Sequence, residues 1–421
     1  MTGLWNGKLL VVDLAKMEIA EIGLDDSLVL DGVGGTGVAS LLWRRFQEKD
    51  PIVLGTGPFT ATMVPGSALA TATMFSPDLG RLVHSPIVSF AGAELKLSGF
   101  DFLILHGKAL EPVYLWLRDG IADLLPAGEW WGKDTWRTAD GIRSEQGDDR
   151  IQVLSIGPAG EQRMWAAQVV VDHWSEGDKI GLGARFGSMN LKAVCSRGLG
   201  ELSVSDPDAM FDSCRSLQRD AIARIAGRSG IGSVLPGIDL KDTPKIVHRD
   251  SACRSCPWPC RTFLKYNEPP TVMAEGVEEP GVLVADAPGY AALIVAGFDA
   301  VGAARLLEQC SRLGIDPVPV SGCLNGLGCA DAMKKLERLA GIEPSFVRTS
   351  GEYTRPDVFS RFAPNGGSEK DIALAYLLGI CPRYAALAGI DAPEHAEALS
   401  FGTGMEIKVE DLLKATRLLL E

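Results

Sequence analysis

Histidine is scarce in this chain, five residues among 421. A metal site built mainly on imidazoles therefore has few ligands to draw on, and no His-x3-His pair occurs. Positive charge is short as well: 41 Lys and Arg stand against 54 Asp and Glu, a net charge of −13. The average field repels polyanions, which argues against nucleic acid as a partner. No basic segment followed by an apolar run occurs in "MTGLWNGKLLVVDLAKMEIA", and the longest later apolar stretch, "YAALIVAGFDAVGAARLL", carries Asp299 and Arg305 within a helix length. Neither secretion nor membrane spanning is expected, and a cytoplasmic location is. Without a secretory signal, the nine cysteines read as thiols of a reducing compartment rather than as a disulfide framework. Internal repeats and low-complexity tracts are lacking too.

What is present is an apolar-rich chain, 46% hydrophobic, long enough for two or three domains. Short apolar runs broken by Gly and Pro dominate the N-terminal half. "KLLVVDLAKMEIAEI" breaks near Ala15 and Lys16, and "FDFLILHGKALEPVYLWLRDG" reads as two runs around a Gly-Lys turn, so sequential antiparallel strands are expected. At "VSDPDAMFDSCRSLQRDAIARIAG" the period becomes helical, with Ser205 or Asp206 as cap and Pro207 in the first turn. A second helix is predicted over 290–313, ended by Gly314, and residues 325–370 read as connections around the helix "DAMKKLERLAG". "DIALAYLLGICPRYAALAGI" and "KVEDLLKATRLLLE" form a last helical zone. The expected fold class is α+β: a sheet-rich domain over 1–204, then mainly helical domains over 205–325 and 326–421.

Two motifs carry possible chemistry. "DGVGGTGVAS" places Gly32, Gly34 and Gly37 in a G-x-G-x-x-G pattern. The zone around it lacks the strand-helix-strand context of a dinucleotide site, so a glycine-rich packing turn is the better reading. "ACRSCPWPCR" places Cys253, Cys256 and Cys260 in a C-x2-C-x3-C run whose prolines stiffen the loop. Three such thiolates can converge on one centre with a fourth ligand from elsewhere, and Cys310, Cys323, Cys329 and Cys381 are available. A 4Fe–4S cluster, a zinc ion and unligated thiols all remain open on spacing alone. A lone distant fourth cysteine suits the cluster best, since zinc commonly takes a second closely spaced pair.

Several stretches resemble the tungsten-dependent aldehyde:ferredoxin oxidoreductase family, of which the chain would be a shortened, divergent member. "GTGPFTATMVPGS" is similar to that family's GPLTGT-x-x-PGS loop, "AGAELKLSGFDFLILHGKALEPVYL" to its G-x-ELK-x-AG-x-D segment, and "GLGARFGSMNLKAV" to GLGAVMGSKNLKA. "IGPAGE" continues the match in family order. The resemblance implies a tungsten or molybdenum bis-pterin lying on the sheet-rich domain. Gly181, Gly183, Lys179, Asn190, Arg312 and Asp316 fall at cofactor-contacting positions. It also implies a 4Fe–4S cluster held by Cys253, Cys256, Cys260 and, through "YLLGIC", Cys381, and a proton-handling carboxylate at Glu278 or Glu279 in "GVEEPG". Departures from the pattern gather at the pterin: Leu69 stands where the family has an arginine, Pro86 to Ser89 replace a glycine-rich turn, Tyr376 takes an aspartate position, and Lys179 replaces another arginine.

The function this implies is oxidation of an aldehyde or related small molecule at the pterin-bound metal, with electrons leaving through the cluster to a ferredoxin or another electron-transfer protein. A homo- or hetero-oligomer is compatible with it. The alternative, from a different class, is a non-catalytic paralogue that keeps the cluster, has lost the pterin and serves as an electron-transfer or assembly subunit. A polar cavity gathering Lys179, Asn190, Arg312 and Asp316 would favour the first; Leu69, Ile87 and Val88 filling that space would favour the second.

Overall fold

The computed structural model describes residues 3–76, 79–174, 180–235, 237–266, 281–341 and 368–420. The N-terminal half is a four-layer arrangement built on two sheets. The first sheet contains β1 (Lys8–Asp13), β2 (Glu18–Gly23), β3 (Ile52–Thr56), β4 (Ala70–Ser76), β5 (Arg81–Ile87) and β6 (Phe102–His106), in the spatial order β2-β1-β6-β3-β4-β5. The second holds β7 (Val113–Arg118), β8 (Ile121–Pro126), β9 (Gln152–Ser155), β10 (Val170–Val171) and β11 (Leu191–Arg197), in the order β10-β9-β11-β7-β8.

Alternation along the strands explains the layering. Leu10 and Val12 of β1, with Leu103 and Leu105 of β6, face Leu115 and Leu117 of β7 in the core between the sheets. Leu9, Val11 and Ile104 point the other way, onto Val38, Ala39 and Leu42 of the helix Gly35–Arg45. On the far side of the second sheet, Tyr114, Trp116 and Val153 meet Ala139 and Ile142 of the helix Thr135–Gln146. Strands buried on both faces lose the in/out alternation of a half-exposed sheet.

That loss accounts for two differences from expectation. Consecutive strands do pair antiparallel, as in β1 with β2 and β7 with β8, but β1 runs parallel to β6 and β7 parallel to β11. The Gly107-Lys108 turn is no hairpin: it passes the chain from the first sheet, at β6, to the second, at β7. The G-x-G-x-x-G stretch is the packing turn expected. A Cβ at Gly35 would lie 2.0 Å from the Tyr376 carbonyl oxygen and one at Gly37 2.7 Å from Leu377 Cδ2, so only glycine lets the two backbones approach.

The remaining described residues are mainly helical, with a small sheet of β12 (Val247–Ser251), β13 (Arg261–Lys265) and β14 (Gly281–Val284) in sequence order. The helix Pro207–Ile225 starts where expected, its Asp206 carboxylate accepting the Ala209 N–H at 3.0 Å. The predicted helix over 290–313 is two helices, Ala287–Val295 and Ala300–Leu313. Gly297, at φ +103°, breaks the run, and Asp299 restarts it by accepting the Gly302 N–H at 2.7 Å. Further helices among the described residues are Pro317–Leu324, Cys329–Ala340, Glu369–Leu378, Pro382–Ala388, Ala392–Thr403 and Val409–Leu420.

Both helical arms dock on the sheets through glycines. Gly314, at φ +71°, ends one helix and accepts the Gln168 N–H at 2.8 Å; a Cβ at Gly157 would meet the Leu313 carbonyl oxygen at 2.4 Å. Gly379, at φ +82°, ends the helix Glu369–Leu378, and a Cβ at Gly57 would sit 2.2 Å from its nitrogen. Each arm thus presents a Leu-Gly-Ile turn to a Gly-Pro turn of one sheet.

Candidate metal centre

The cysteine run lies between β12 and β13, and the local chain is held at several points. Cys256 N–H donates to the Cys253 carbonyl at 3.2 Å, Ser255 takes a left-handed φ of +54°, and Cys260 N–H donates to the Trp258 carbonyl at 2.9 Å. Trp258 is buried, its indole N–H donating to Ser233 Oγ at 3.1 Å. Cys260 is buried; Cys253, Cys256 and Cys381 are half-buried and pack against the same apolar core.

Cys381 is 121 residues beyond Cys260, and one residue brings it to the loop. Gly66 N–H donates to the Ser255 carbonyl at 2.9 Å, while the Gly66 carbonyl accepts the Cys381 N–H, also at 2.9 Å. Gly66 sits at φ +77° with its Cα facing the Tyr384 ring. A further bond, from Ser255 Oγ to the Thr62 carbonyl at 2.9 Å, ties the loop to the same 62–67 turn. Cys381 is also the N-cap of the helix Pro382–Ala388. The four cysteines are electrostatic neighbours: burial, with Cys253, Cys381 and Cys260 around it, pushes the Cys256 thiol well up. Four thiolates can share this place only if bound cations take up their charge.

Sequence reasoning missed two residues here. Arg383, buried, donates from Nη1 to the Ala285 carbonyl at 3.1 Å and reaches Cys260 Sγ at 3.7 Å. Arg261, next to Cys260 and also buried, donates from Nη1 to Ser89 Oγ at 3.1 Å. The signal was two arginines, each within two residues of a candidate ligand and flanked by apolar sequence. As the side chains stand, no group of three or more His, Cys, Asp or Glu among the described residues could hold a metal ion.

The other candidate positions are engaged in structural contacts. Asn190, at φ +56°, donates from Nδ2 to the Ala109 carbonyl at 2.7 Å. Arg312 lies 3.8 Å over the Trp136 ring and donates from Nε to Glu308 Oε1 at 2.9 Å; its Nη2 has no hydrogen-bond partner among the described residues. Asp316 caps the helix Pro317–Leu324, accepting the Val318 N–H at 3.1 Å. Gly181 is a left-handed N-cap, and a Cβ at Gly183 would meet the Gln168 backbone at 2.6 Å. Lys192 is buried and donates to Glu161 Oε1 at 2.6 Å. Lys179, Glu278 and Glu279 lie outside the described residues. Leu69, Ile87 and Val88 are all buried in apolar cores. Two surface cavities, of about 360 and 410 Å³, are lined by other residues.

With this geometry in view, the model of the aldehyde ferredoxin oxidoreductase N-terminal domain matches residues 9–198, the two-sheet unit. Residues 9–198 are thus similar to the N-terminal domain of the aldehyde ferredoxin oxidoreductase family. A tungsten-containing aldehyde ferredoxin oxidoreductase of Pyrococcus abyssi is 33% identical over 235 residues, 53% of this chain and 39% of the relative. Its Pyrococcus furiosus counterpart is 26% identical over 380 residues, 80% of this chain and 60% of the relative. The aliphatic sulfonate oxidoreductase, WOR-like subunit, of the same organism is 29% identical over 267 residues, covering 57% and 42%. The chain thus spans 39% to 60% of the length of these relatives. Among solved structures, the active site complex BamBC of benzoyl coenzyme A reductase with 1,5-dienoyl-CoA superposes with a TM-score of 0.78 at 18% identity, over 99% of this chain and 88% of that one. The sheet-rich domain followed by helices is thereby a fold that this chain shares with that complex.

Proposed function

We propose that this aldehyde ferredoxin oxidoreductase relative holds a 4Fe–4S cluster through Cys253, Cys256, Cys260 and Cys381 and acts as an electron-transferring subunit without a pterin. The observation that carries the reading is the Gly66 bridge, which hydrogen-bonds the three-cysteine loop on one side and Cys381 on the other. The donor set fits in kind: Cys253, Cys256 and Cys260 on a loop stiffened by Pro257 and Pro259, and Cys381 from the helix it caps. When bound, such a cluster supplies one-electron chemistry. The chain's own part is to hold the sulfurs, to shield them with Trp258 and Tyr384, and to place the arginines Arg261 and Arg383 beside Cys260.

The bis-pterin does not fit the described residues. Leu69 presents a buried apolar side chain where the resemblance calls for an arginine, and Val88 joins it in the same core. Asn190 and Asp316 spend their polar groups on backbone contacts. Among the described candidate positions Arg312 keeps one buried donor nitrogen without a hydrogen bond, too little to neutralise several phosphate charges. We therefore assign no aldehyde oxidation step to this chain, and no role to Glu278 or Glu279.

A ferredoxin suits the surface beside the cysteine loop. The outward face of the helix Pro207–Ile225 carries exposed Phe211 and Ile222 with Arg215 and Arg219, next to exposed Met63, whose neighbour Thr62 accepts from Ser255. Arg215 and Arg219 pair there with Asp212 and Asp220, at 4.0 and 3.4 Å, so the stripe is apolar and charge-balanced, and the proposed contact rests on its apolar side chains with the arginines at their edge. The neighbours named as a WOR-like subunit and as a BamBC complex support reading the chain as one subunit of a hetero-oligomer. No helix among the described residues is long and apolar enough to cross a membrane; a thiolate-ligated cluster, as proposed, suits the reducing cytoplasm.

The test is elemental and pterin analysis of anaerobically purified protein from cells supplied with tungstate and molybdate. Iron at about four per chain, lost in Cys253→Ser and Cys381→Ser, without tungsten, molybdenum or pterin, is the expected result. Stoichiometric tungsten or molybdenum with pterin would overturn the electron-transfer reading, and zinc without iron would overturn the cluster.

A further inference from the structure

We propose that Arg383 is the buried counter-ion of the cluster and sets its reduction potential; the proposal rests on the iron–sulfur reading above. Arg383 is 6% exposed and lies two residues after Cys381, on the helix that Cys381 caps. Its guanidinium spans two chain segments, with Nη1 3.1 Å from the Ala285 carbonyl at the end of β14 and 3.7 Å from Cys260 Sγ at the start of β13. It therefore touches one sulfur while standing beside the residue that supplies another.

The physical reason follows from charge. Four thiolates around a 4Fe–4S core leave a net negative unit, and each reduction adds one more negative charge in a poorly hydrated place. A guanidinium stays protonated at any accessible pH and donates in a fixed fork, so its positive charge is permanent and its position is set by the Ala285 carbonyl. Such a cation stabilises the reduced state more than the oxidised one and raises the potential. Asp286, directly after Ala285 and fully buried, puts an opposing carboxylate nearby, and Arg261 adds a second buried guanidinium next to Cys260. Arg383 Nη1 stands 3.7 Å from Cys260 Sγ. A purely structural role would leave the potential alone.

The test is an EPR-monitored redox titration of the full-length, cluster-loaded protein, with iron content and visible absorption as loading checks. Arg383→Met, which keeps length and loses charge, is expected to shift the reduced-to-oxidised ratio at fixed potential at least about tenfold toward oxidised, about 59 mV for one electron. Arg383→Lys, which keeps the charge, is expected to retain most of the wild-type potential. Full iron with an unmoved potential in Arg383→Met would overturn the proposal while leaving the cluster reading intact; wild-type protein without iron would sink both. Should Arg383→Met fail to load, electron spin echo spectroscopy of reduced wild-type protein carrying ¹⁵N-arginine decides instead. A nitrogen coupling that changes in Arg383→Lys is expected, and its absence in wild type would refute the contact.

Discussion

Replacing Gly66 with alanine should release iron from a protein that otherwise stays folded. Gly66 holds φ +77° and makes both hydrogen bonds that join the cysteine loop to Cys381. The added methyl group carries two costs. An L-residue in the left-handed region loses about 1–2 kcal/mol, and the Cβ would stand 2.9 Å from Tyr384 Cδ1 and 3.0 Å from Cγ, close enough to force the turn or the ring aside. Weakening the paired hydrogen bonds adds about 1 kcal/mol. The sum, about 2–3 kcal/mol, is a factor of about 30–150 in the equilibrium that keeps the fourth sulfur in place. The assay is the rate of iron loss to an excess of chelator, followed by visible absorption under anaerobic conditions. Gly147→Ala is the control: Gly147 also has a left-handed φ, +73°, but a Cβ there meets nothing within 4 Å, and it lies on the second-sheet side of the molecule. Equal chelation rates for Gly66→Ala and Gly147→Ala would refute the bridge as the joint that assembles the site.

Three further outcomes are expected. His84 is buried against Thr73, and burial lowers its pKa from 6.5 to about 4; its contribution is fully present above pH 6.5 and is lost as pH falls toward 4, about 3 kcal/mol in all. Denaturant titrations should therefore show a shallower pH slope between 6.5 and 4 for His84→Gln than for wild type, and equal slopes would contradict this. Leu69→Arg buries a charge in a closed apolar core and should lower stability by several kcal/mol; an equally stable, pterin-loaded variant would show that the cradle exists after all. Reversing Arg215 and Arg219 to glutamate should weaken calorimetric binding of a bacterial two-cluster ferredoxin about tenfold at low salt, with unchanged iron content, and an unaffected affinity would move the partner elsewhere.

Local signals in the sequence carried the element types well and the tertiary relations poorly. Asp206 and Pro207 announced their helix, and the prolines of "CPWPC" announced a stiff ligand loop, because capping and chain stiffness act over a few residues. The parallel pairing of β1 with β6 was hidden, since strands covered on both faces read as continuous apolar runs whichever way their neighbours point. Cys381 was legible only through the resemblance of "YLLGIC", and the glycine that joins it to the loop was hidden inside "MVPGS". Arg383 was overlooked because an arginine is ordinarily a surface residue, and nothing local shows that the helix after Cys381 is buried.

The two Leu-Gly-Ile turns that seat the helical arms also govern which changes the sequence can accumulate. Gly57 with Gly379, and Gly157 with Gly314, meet backbone to backbone, so a side chain on either member wedges the same joint open. Once one joint has been opened, a second methyl group in it has little left to disrupt, whereas a methyl group in the other joint inflicts its full damage. A double-mutant cycle across the four positions would therefore resolve them into two coupled pairs, each answering for the attachment of one arm to one sheet.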